Sequence, residues 1–385
     1  MIPISAGPGT ILLAALTLAS APARAAAPFC EQTDLFRQGE GGVHTYRIPA
    51  LIETRNGTLI AVADARYDNS RDLPGRIALV MRRSFDRGKT WSAAVTIRPA
   101  PEGGGVGDAS LLLDRSNGRV WCFHAYGPPG IGFDTGKPGA RTGPGTLQVH
   151  AMFSDDDGAT WSAPTDLTPQ IKDPAWRAVF ATSGTHFTTK KGRFLVPLVV
   201  RGADGAVSAR NAYSDDHGKT WRTGLPAGPA TDESKAVELE DGTVLQNMRD
   251  GPRRAVARSR DGGITFGPLE HDPALIDPNC NAGLARCRFR GKKTLIFTNA
   301  ASTTRKNVTV RLSFNGGRTW PAARVLHARA AAYSTVVPLR DGTVAVLYEC
   351  GETFPAEKIT FARFNLEWIT SAAPPSGPPA ASARP

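Results

Sequence analysis

Short apolar runs alternate with glycine-containing turns along most of the chain. Residues 193–200 (RFLVPLVV) form one such run, rich in the β-branched residues that favour strands. The turns Asn56-Gly57, Asp241-Gly242 and Asp341-Gly342 are each flanked by apolar residues and predict β-hairpins. No long segment combines a helical period with capping residues. The pattern therefore predicts an all-β chain built from short antiparallel strands.

A repeated octapeptide occurs at intervals between these strands. The pattern Ser-x-Asp-x-Gly-x-Thr-Trp, called the box below, occurs with small variations at 84–91, 154–161, 214–221, 259–266 and 313–320. Successive boxes start 70, 60, 45 and 54 residues apart, and each gap is about the length of one four-stranded sheet with its loops. Small sheets repeated in this way predict a β-propeller. Five boxes with unequal gaps predict six blades of four antiparallel strands, one blade lacking its box.

The box residues have a structural explanation of their own. Asp and Gly form a tight turn in which the Asp side chain accepts backbone N–H groups. The aromatic residue that ends the box then packs beneath the turn. We therefore expect the boxes to hold the fold and not to contact a substrate.

The two ends of the chain differ from its middle. Residues 11–19 (ILLAALTLA) are apolar but too few to span a bilayer as a helix, and Ala23-Arg24-Ala25 follows them. This predicts a signal peptide over residues 1–27 and a secreted or periplasmic protein, although no Lys or Arg precedes the apolar run. Residues 372–385 (AAPPSGPPAASARP) have the composition of a disordered tail. The propeller domain is expected over residues 28–371, with no transmembrane segment.

The charge composition narrows the classes of molecule that the protein is expected to bind. The chain has 46 Lys and Arg against 35 Asp and Glu, a formal net charge of +11. A basic excess suits an anionic partner, but no dense Lys/Arg run is present, which disfavours nucleic acid.

The cysteines do not indicate a metal or cofactor. Five cysteines in an exported protein allow at most two disulfides. Cys280 and Cys287 are close enough in sequence to bridge neighbouring strands, and buried free thiols are an equal alternative. No Cys/His spacing typical of a zinc site occurs, so neither a metal nor another cofactor is expected.

Three arginines lie near strand ends without an evident role in folding. Arg47 stands in Tyr-Arg-Ile-Pro, Arg249 ends an apolar strand, and Arg305 precedes the strand at 308–312. In a propeller, strand ends from different blades converge on the central channel. Three guanidiniums meeting there could hold one carboxylate, because this pairing is bidentate and directional.

Further motifs give the chain a family resemblance. Tyr-Arg-Ile-Pro at 46–49, the boxes, Asp-Glu-Ser-Lys-Ala-Val-Glu-Leu at 232–239, Ala-Tyr-Ser-Thr at 332–335 and Leu-Tyr-Glu at 347–349 occur in one order. In these motifs the chain resembles the sialidases (neuraminidases) of the bacterial and animal type, from about residue 29 to about residue 365. The resemblance implies a six-bladed propeller that hydrolyses terminal α-linked sialic acids of glycans, glycoproteins or gangliosides.

The resemblance also implies residue roles. Arg47, Arg249 and Arg305 would bind the substrate carboxylate, with Arg311 a competitor for the third place. Glu349 would orient Arg47.

The reacting groups follow in the same way. Tyr333 would be the nucleophile and Glu233 its base, with Glu238 as the alternative base. Asp72 would be the acid/base residue, with Asp68 as the alternative. Arg66 and Asp108 would lie near the N-acetyl and C4 substituents of the sugar.

These residue types suit the reaction. Sialic acid carries a carboxylate on its anomeric carbon, which repels a carboxylate nucleophile, whereas a neutral tyrosine can approach. A tyrosine with its ordinary pKa near 10 needs a base to remove its proton. A non-catalytic sialoside-binding propeller, or an enzyme that transfers the sugar or forms an anhydro product, are the alternative functions. A monomer is expected.

Overall fold

The computed structural model describes residues 1–3 and 26–371. Nearly all of the expected signal peptide and the whole expected tail lie outside the described residues. The described chain is all-β, as predicted, with two short helices, Thr168–Ile171 and Leu366–Thr370, and a single 3-10 turn at Glu40–Gly42. None of the helices in these residues has the length and apolar character needed to cross a membrane.

The first strand pairs with the last, and four groups of strands follow it in chain order. Strand β1 is Cys30–Arg37. The first group is antiparallel and consists of β2 (Thr45–Glu53), β3 (Leu59–Arg66), β4 (Ile77–Ser84) and β5 (Val95–Arg98). The second consists of β6 (Gly105–Leu113), β7 (Val120–Gly127), β8 (Gln148–Ser154) and β9 (Thr165–Asp166).

The next two groups repeat this arrangement. The third consists of β10 (Ala178–Ala181), β12 (Phe187–Thr188), β13 (Phe194–Arg201), β14 (Val207–Ser214) and β15 (Arg222–Thr223). Between β10 and β12 lies β11 (Gly184–Thr185), which pairs in parallel with β6 and so adds to the second sheet. The fourth consists of β16 (Ser234–Glu238), β17 (Val244–Met248), β18 (Arg253–Ser259) and β19 (Glu270–Ile276).

The remaining strands form one seven-stranded sheet that changes partners halfway along. Its strands are β20 (Gly283–Phe289), β21 (Lys292–Ala300), β22 (Lys306–Ser313), β23 (Ala322–Pro338), β24 (Val344–Cys350), β25 (Lys358–Phe364) and β1. The 17-residue β23 pairs with β22 up to Ala330 and with β24 from Ala331 onward. Dividing the sheet at this point gives two groups of four strands, as a six-bladed propeller requires. The count of six remains a prediction.

The boxes form the turns between the last two strands of their groups. In the second box the Ser154 hydroxyl donates to Asp156 at 2.8 Å and accepts the N–H of Gly158 at 2.8 Å. Asp156 also accepts the backbone N–H and the hydroxyl of Thr160. A Cβ on Gly158, which has φ of +77°, would lie 2.8 Å from Ile60 in the neighbouring sheet. The box therefore packs one sheet against the next.

Apolar side chains fill the spaces between adjacent sheets. One cluster joins Val62 and Leu79 of the first group to Leu111 and Met152 of the second. All five cysteines are free thiols, so the bridge between Cys280 and Cys287 considered from the sequence does not form. Cys280 and Cys287 instead pack in two different apolar clusters.

The antiparallel topology separates two faces of the molecule. The first strands of several groups start on one face, and the box turns lie on the opposite face. Arg47 lies near the start of β2, Asp108 in the first half of β6 and Glu233 directly before β16. Tyr333 lies near the start of the second half of β23. Four candidate residues far apart in sequence therefore lie on the same face.

Candidate active site

The backbone at Arg47 and Ile48 is bent in a way that orients the arginine. The pairing of β2 with β3 is irregular between Arg47 and Ala50, and Ile48 has φ of +59°. This value is strained for a β-branched residue that precedes a proline. The Ile48 N–H donates to the Glu349 carboxylate at 2.7 Å, which compensates part of the strain.

Glu349 connects two of the candidate residues. Its carboxylate is completely buried and receives the Arg47 guanidinium in a bidentate pair, at 3.1 and 3.2 Å. The other connection is the backbone N–H of Tyr333, which donates to Glu349 at 3.2 Å. A register irregularity between Ala331 and Ser334 brings this N–H into reach. One buried carboxylate thus fixes both Arg47 and the start of the Tyr333 segment.

Tyr333, Glu233 and Arg249 form a hydrogen-bonded triad. The Tyr333 hydroxyl donates to Glu233 Oε2, and one Arg249 Nη donates to both, at 2.9 Å to Glu233 and 3.1 Å to the phenolic oxygen. Burial, followed by the charge of Glu233, raises the pKa of Tyr333 well above its ordinary value. Burial also raises the pKa of Glu233, and Arg249 opposes that rise. The proton therefore rests on the phenol, next to a carboxylate that can accept it.

Two further guanidiniums cover the Tyr333 ring. The guanidinium carbon of Arg47 lies 5.2 Å from the ring centroid and that of Arg305 lies 5.7 Å away. Arg305 is held by the backbone oxygen of Asn279 at 3.0 Å. With Arg249 at the hydroxyl, three cations surround one phenol, which favours binding of an anion beside it.

Arg311, the alternative for the third arginine, lies elsewhere. Its backbone pairs across the sheet with Phe297 and Ala323, and Asp272 is the acidic group whose charge acts on it. Burial lowers the pKa of Arg311. Arg305, and not Arg311, accompanies Tyr333.

Asp72 lies at the open side of this group. Its carboxylate pairs with Arg66 at 2.7 Å and approaches Arg47 at 3.9 Å, while 72% of its side chain is exposed. Partial desolvation acts to raise the pKa of Asp72, but Arg66 and Arg47 together hold it below the ordinary value. Asp72 is therefore ionised in the free protein.

Asp64 belongs to the site although sequence reasoning did not select it. It is buried between the Arg66 guanidinium at 3.1 Å and the backbone N–H of Asp108 at 3.0 Å. Burial raises the pKa of Asp64 to about 7. Its position two residues before Arg66 in a strand places both side chains on one face, which is the signal that could have found it.

Asp108 has a local backbone cause for its placement. The pairing of β6 with β7 is irregular between Gly107 and Ser110, and Asp108 has φ of +57°. Burial and the charge of Asp64 raise the pKa of Asp108 well above its ordinary value. The carboxylates of Asp64, Asp72 and Asp108 therefore form an acidic cluster around the buried guanidinium of Arg66.

The two alternative acids are occupied elsewhere. Asp68 pairs with the exposed Arg76 at 2.9 Å. Glu238 lies at the far end of β16 from Glu233 and accepts the backbone N–H of Lys190 at 2.7 Å. The structure brings Asp72 to Arg66 and Glu233 to Tyr333, and neither alternative to those partners.

Arg254 is a second residue near the site that was not selected from the sequence. Arg254 is fully buried and pairs with Asp277 at 3.3 Å, with the backbone oxygen of Cys280 at 2.7 Å and with that of Glu233 at 3.5 Å. It thereby connects Glu233 to the loop that carries Asn279. Nothing in the sequence distinguishes Arg254 from other strand arginines. Within residues 26–371, no group of three His, Cys, Asp or Glu side chains is arranged to hold a metal ion.

Comparison with known proteins shows which family the chain is similar to. Residues 57–346 match the family described as BNR repeat-like domain. A sialidase of Micromonospora viridifaciens is 40% identical over an alignment covering 93% of this chain and 58% of that protein. An exo-alpha-sialidase of Aspergillus fumigatus is 30% identical, with 90% of this chain and 93% of that protein covered.

A solved structure extends the comparison to the fold. The Hadza microbial sialidase Hz136 superposes with a TM-score of 0.80 at 33% identity, covering 86% of this chain and 68% of that one. The chain spans less than two thirds of the Micromonospora relative. Family match, identity and shared β-propeller fold agree, and the chain therefore belongs to the sialidase family.

Proposed function

We propose that the protein is an exo-α-sialidase that removes terminal α-linked sialic acids with retention of configuration. One observation carries the proposal: Tyr333 donates to Glu233 while Arg249, Arg47 and Arg305 surround the phenol. A nucleophile, its base and cations suited to an acidic sugar thus lie next to one another. The intact Tyr333–Glu233 pair argues against a non-catalytic binding propeller.

Binding of the substrate would use the three arginines. The sialic acid carboxylate would lie between Arg47, Arg249 and Arg305, which orients the anomeric carbon over the Tyr333 oxygen. Arg66 and Asp108 would contact the N-acetyl and C4 substituents of the ring. The substrates we propose are sialylated glycans, glycoproteins or gangliosides.

The first chemical step would form a bond between the Tyr333 oxygen and the anomeric carbon. Glu233 takes the phenolic proton as this bond forms. The bond from the anomeric carbon to the leaving oxygen breaks, and Asp72 gives that oxygen its proton.

The second step would reverse the proton transfers. Water attacks the anomeric carbon and gives a proton to Asp72, while the Tyr333 oxygen departs and recovers its proton from Glu233. Two displacements at one carbon retain its configuration.

Asp72 must gain a proton before it can act as an acid. In the free protein Arg66 and Arg47 hold its pKa below the ordinary value. A substrate carboxylate that pairs with Arg47 would neutralise one of these two cations and raise the pKa of Asp72. Binding would thereby prepare the acid that the first step requires.

The proposed setting is a secreted or periplasmic monomer. Support comes from the apolar run at 11–19 and the small residues after it, which resemble a signal peptide over residues 1–27. The catalytic propeller would then be residues 28–371, and residues 372–385 a tail.

Cleavage of a fluorogenic sialoside tests the proposal. We expect release of the fluorophore within the range of about pH 4 to 8, and NMR of the product should show free sialic acid with the α-configuration formed first. A folded protein without release across this range would contradict it. An anhydro sugar or a new sialoside as the main product would instead identify an intramolecular or intermolecular transferase.

A further inference from the structure

Lys235, two residues after Glu233, is buried in the first strand of the fourth group. Its ammonium donates to the backbone oxygen of Ser183 at 2.5 Å and to Asn281 Oδ1 at 2.9 Å. The residue is 2% exposed, and within residues 26–371 no carboxylate forms an ion pair with it. Lysine is almost never fully buried without a paired charge, so its presence here requires an explanation.

The residues around Lys235 leave room for its side chain in one position only. A Cβ on Gly184, which has φ of +103°, would lie 3.1 Å from Lys235 Cε and 3.2 Å from Thr335 Oγ1. Asn281 is itself fixed by a bond from its amide to the Ser183 hydroxyl at 2.8 Å. The ammonium is therefore held in one place by neutral acceptors, and its charge is not cancelled locally.

Glu233 is the acidic group whose charge acts on Lys235. Glu233 lies directly before β16 and Lys235 is the second residue of that strand, so their Cα atoms are at most about 7 Å apart. Both are buried, and a charge acts strongly over such a distance where water is excluded.

We propose that Lys235 is a positioning residue whose buried positive charge keeps the Glu233 carboxylate ionised, so that it can accept the proton of Tyr333. The inference rests on the proposed sialidase function. It assigns the lysine no contact with substrate, and its action is on the base alone.

The other charged groups around Lys235 are compatible with this role. Burial lowers the pKa of Lys235 to about 7, Glu233 opposes that change, and the buried Arg254 adds to it. Burial and the lysine charge lower the pKa of His186 well below its ordinary value, so His186 stays neutral. Burial raises the pKa of Glu233 and Asp232 adds to that rise, whereas Arg249, paired with it at 2.9 Å, and Lys235 lower it. Below about pH 7 Lys235 is therefore a second positive charge, besides Arg249, that acts on Glu233.

The test uses a substrate that removes Asp72 from the profile. A 4-nitrophenyl sialoside loses its leaving group without a proton, so the acid limb of kcat/KM reports the base in the free enzyme. In Lys235→Gln we expect this limb to move upward by about one pH unit, with KM little changed. Lys235→Arg, which keeps the charge, should return the limb toward the wild-type position. Lys219→Gln, at an exposed box turn, is the matched control and should leave the limb in place.

Each outcome bears on the inference. If Lys235→Gln does not fold, Asn281→Asp serves as the second variant, because a carboxylate beside the ammonium should cancel its charge and raise the limb similarly. A folded Lys235→Gln or Asn281→Asp with an unmoved acid limb overturns the inference. A wild-type protein that cleaves no sialoside overturns the proposed function instead, so the two failures are distinguishable.

Discussion

Asp72 is the residue whose proposed role depends most on the leaving group. An acid is needed when the departing oxygen is a sugar hydroxyl and is dispensable when it is a nitrophenol. In Asp72→Asn we expect kcat/KM for sialyllactose to fall by roughly 10²–10⁴-fold, and that for 4-nitrophenyl sialoside to fall by less than about tenfold.

Asp68→Asn is the matched control for that measurement. Asp68 carries the same charge in the same loop but pairs with Arg76 at the surface. It should leave both rates nearly unchanged. Equal losses for the two substrates in Asp72→Asn would show that Asp72 is not the acid.

Arg305 and Arg311 provide a second comparison between single residues. Arg305 lies at the Tyr333 ring, whereas Arg311 lies near the end of β22 that leads into the box. We therefore expect Arg305, and not Arg311, to contact a carboxylate bound beside Tyr333. We expect Arg305→Gln to raise KM for a sialoside by about tenfold or more, the typical effect of losing a charged hydrogen bond. Arg311→Gln should leave KM within about twofold, and a reversed result would reassign the third arginine.

For single residues, the candidate side chains could be predicted from the sequence more readily than the backbone conformations that orient them. Arg47, Glu349, Tyr333 and Glu233 could be selected because their motifs occur in a fixed order. The strained φ of Ile48, which orients Arg47, has no signature in Tyr-Arg-Ile-Pro. Lys235 is part of the motif at 232–239, yet its contacts with Ser183 and Asn281, far away in sequence, have no signature in that motif.

The box is the element whose contribution is easiest to separate from catalysis. Asp156 accepts hydrogen bonds from the hydroxyl of Ser154 and from the backbone and hydroxyl of Thr160, on the face opposite to Tyr333. Asp156→Ala should lower the free energy of unfolding by about 1 kcal/mol, since the turn is largely exposed to water. Denaturant unfolding measures this loss, and KM for a sialoside should not change. A changed KM with unchanged stability would contradict the purely structural role of the box.

Elements with local signals were predictable and those without were not. The Asp-Gly hairpin at 241–242 follows from residue types that favour a positive φ, and it joins β16 to β17 as expected. The 17-residue strand Ala322–Pro338 could not be anticipated. Its change of partner at Ala330 and Ala331 depends on which strands lie on either side, and no turn residue marks the position.

Acid sensitivity is a property of the whole molecule that follows from its buried histidines. Burial, with a contribution from His150, lowers the pKa of His124 to about 3, and burial also lowers the pKa of His150 and His186. For each the folded value lies below the unfolded one, so the unfolded chain binds more protons in acid. Their contribution to stability is complete above about pH 6.5 and declines as the pH falls, for His124 down to about pH 3.

Replacing one of these histidines tests the acid sensitivity. Between about pH 7.5 and pH 4.5, His124 alone should account for about 2–3 kcal/mol of lost stability. In His124→Leu the difference in unfolding free energy between these two pH values should shrink by that amount. His44→Gln, at an exposed position, is the control. An unchanged difference in His124→Leu would contradict this assignment.

The propeller as a whole could be predicted because its repeat is written in the sequence. The spacing of the boxes indicated small sheets of similar size, and the solved relative has the same fold. The number of blades could not be predicted from the boxes alone, because the sequence contains five boxes and the last two groups of strands share β23.

Trapping the covalent intermediate tests the central claim most directly. A 2,3-difluorosialic acid should transfer its sugar to the nucleophile and leave it there long enough for peptide mass spectrometry. The account predicts one added sugar per chain, located on Tyr333, and none in Tyr333→Phe. A sugar found on Asp72 or Glu233, or continued sialoside turnover by Tyr333→Phe at a rate near that of the wild type, would contradict it.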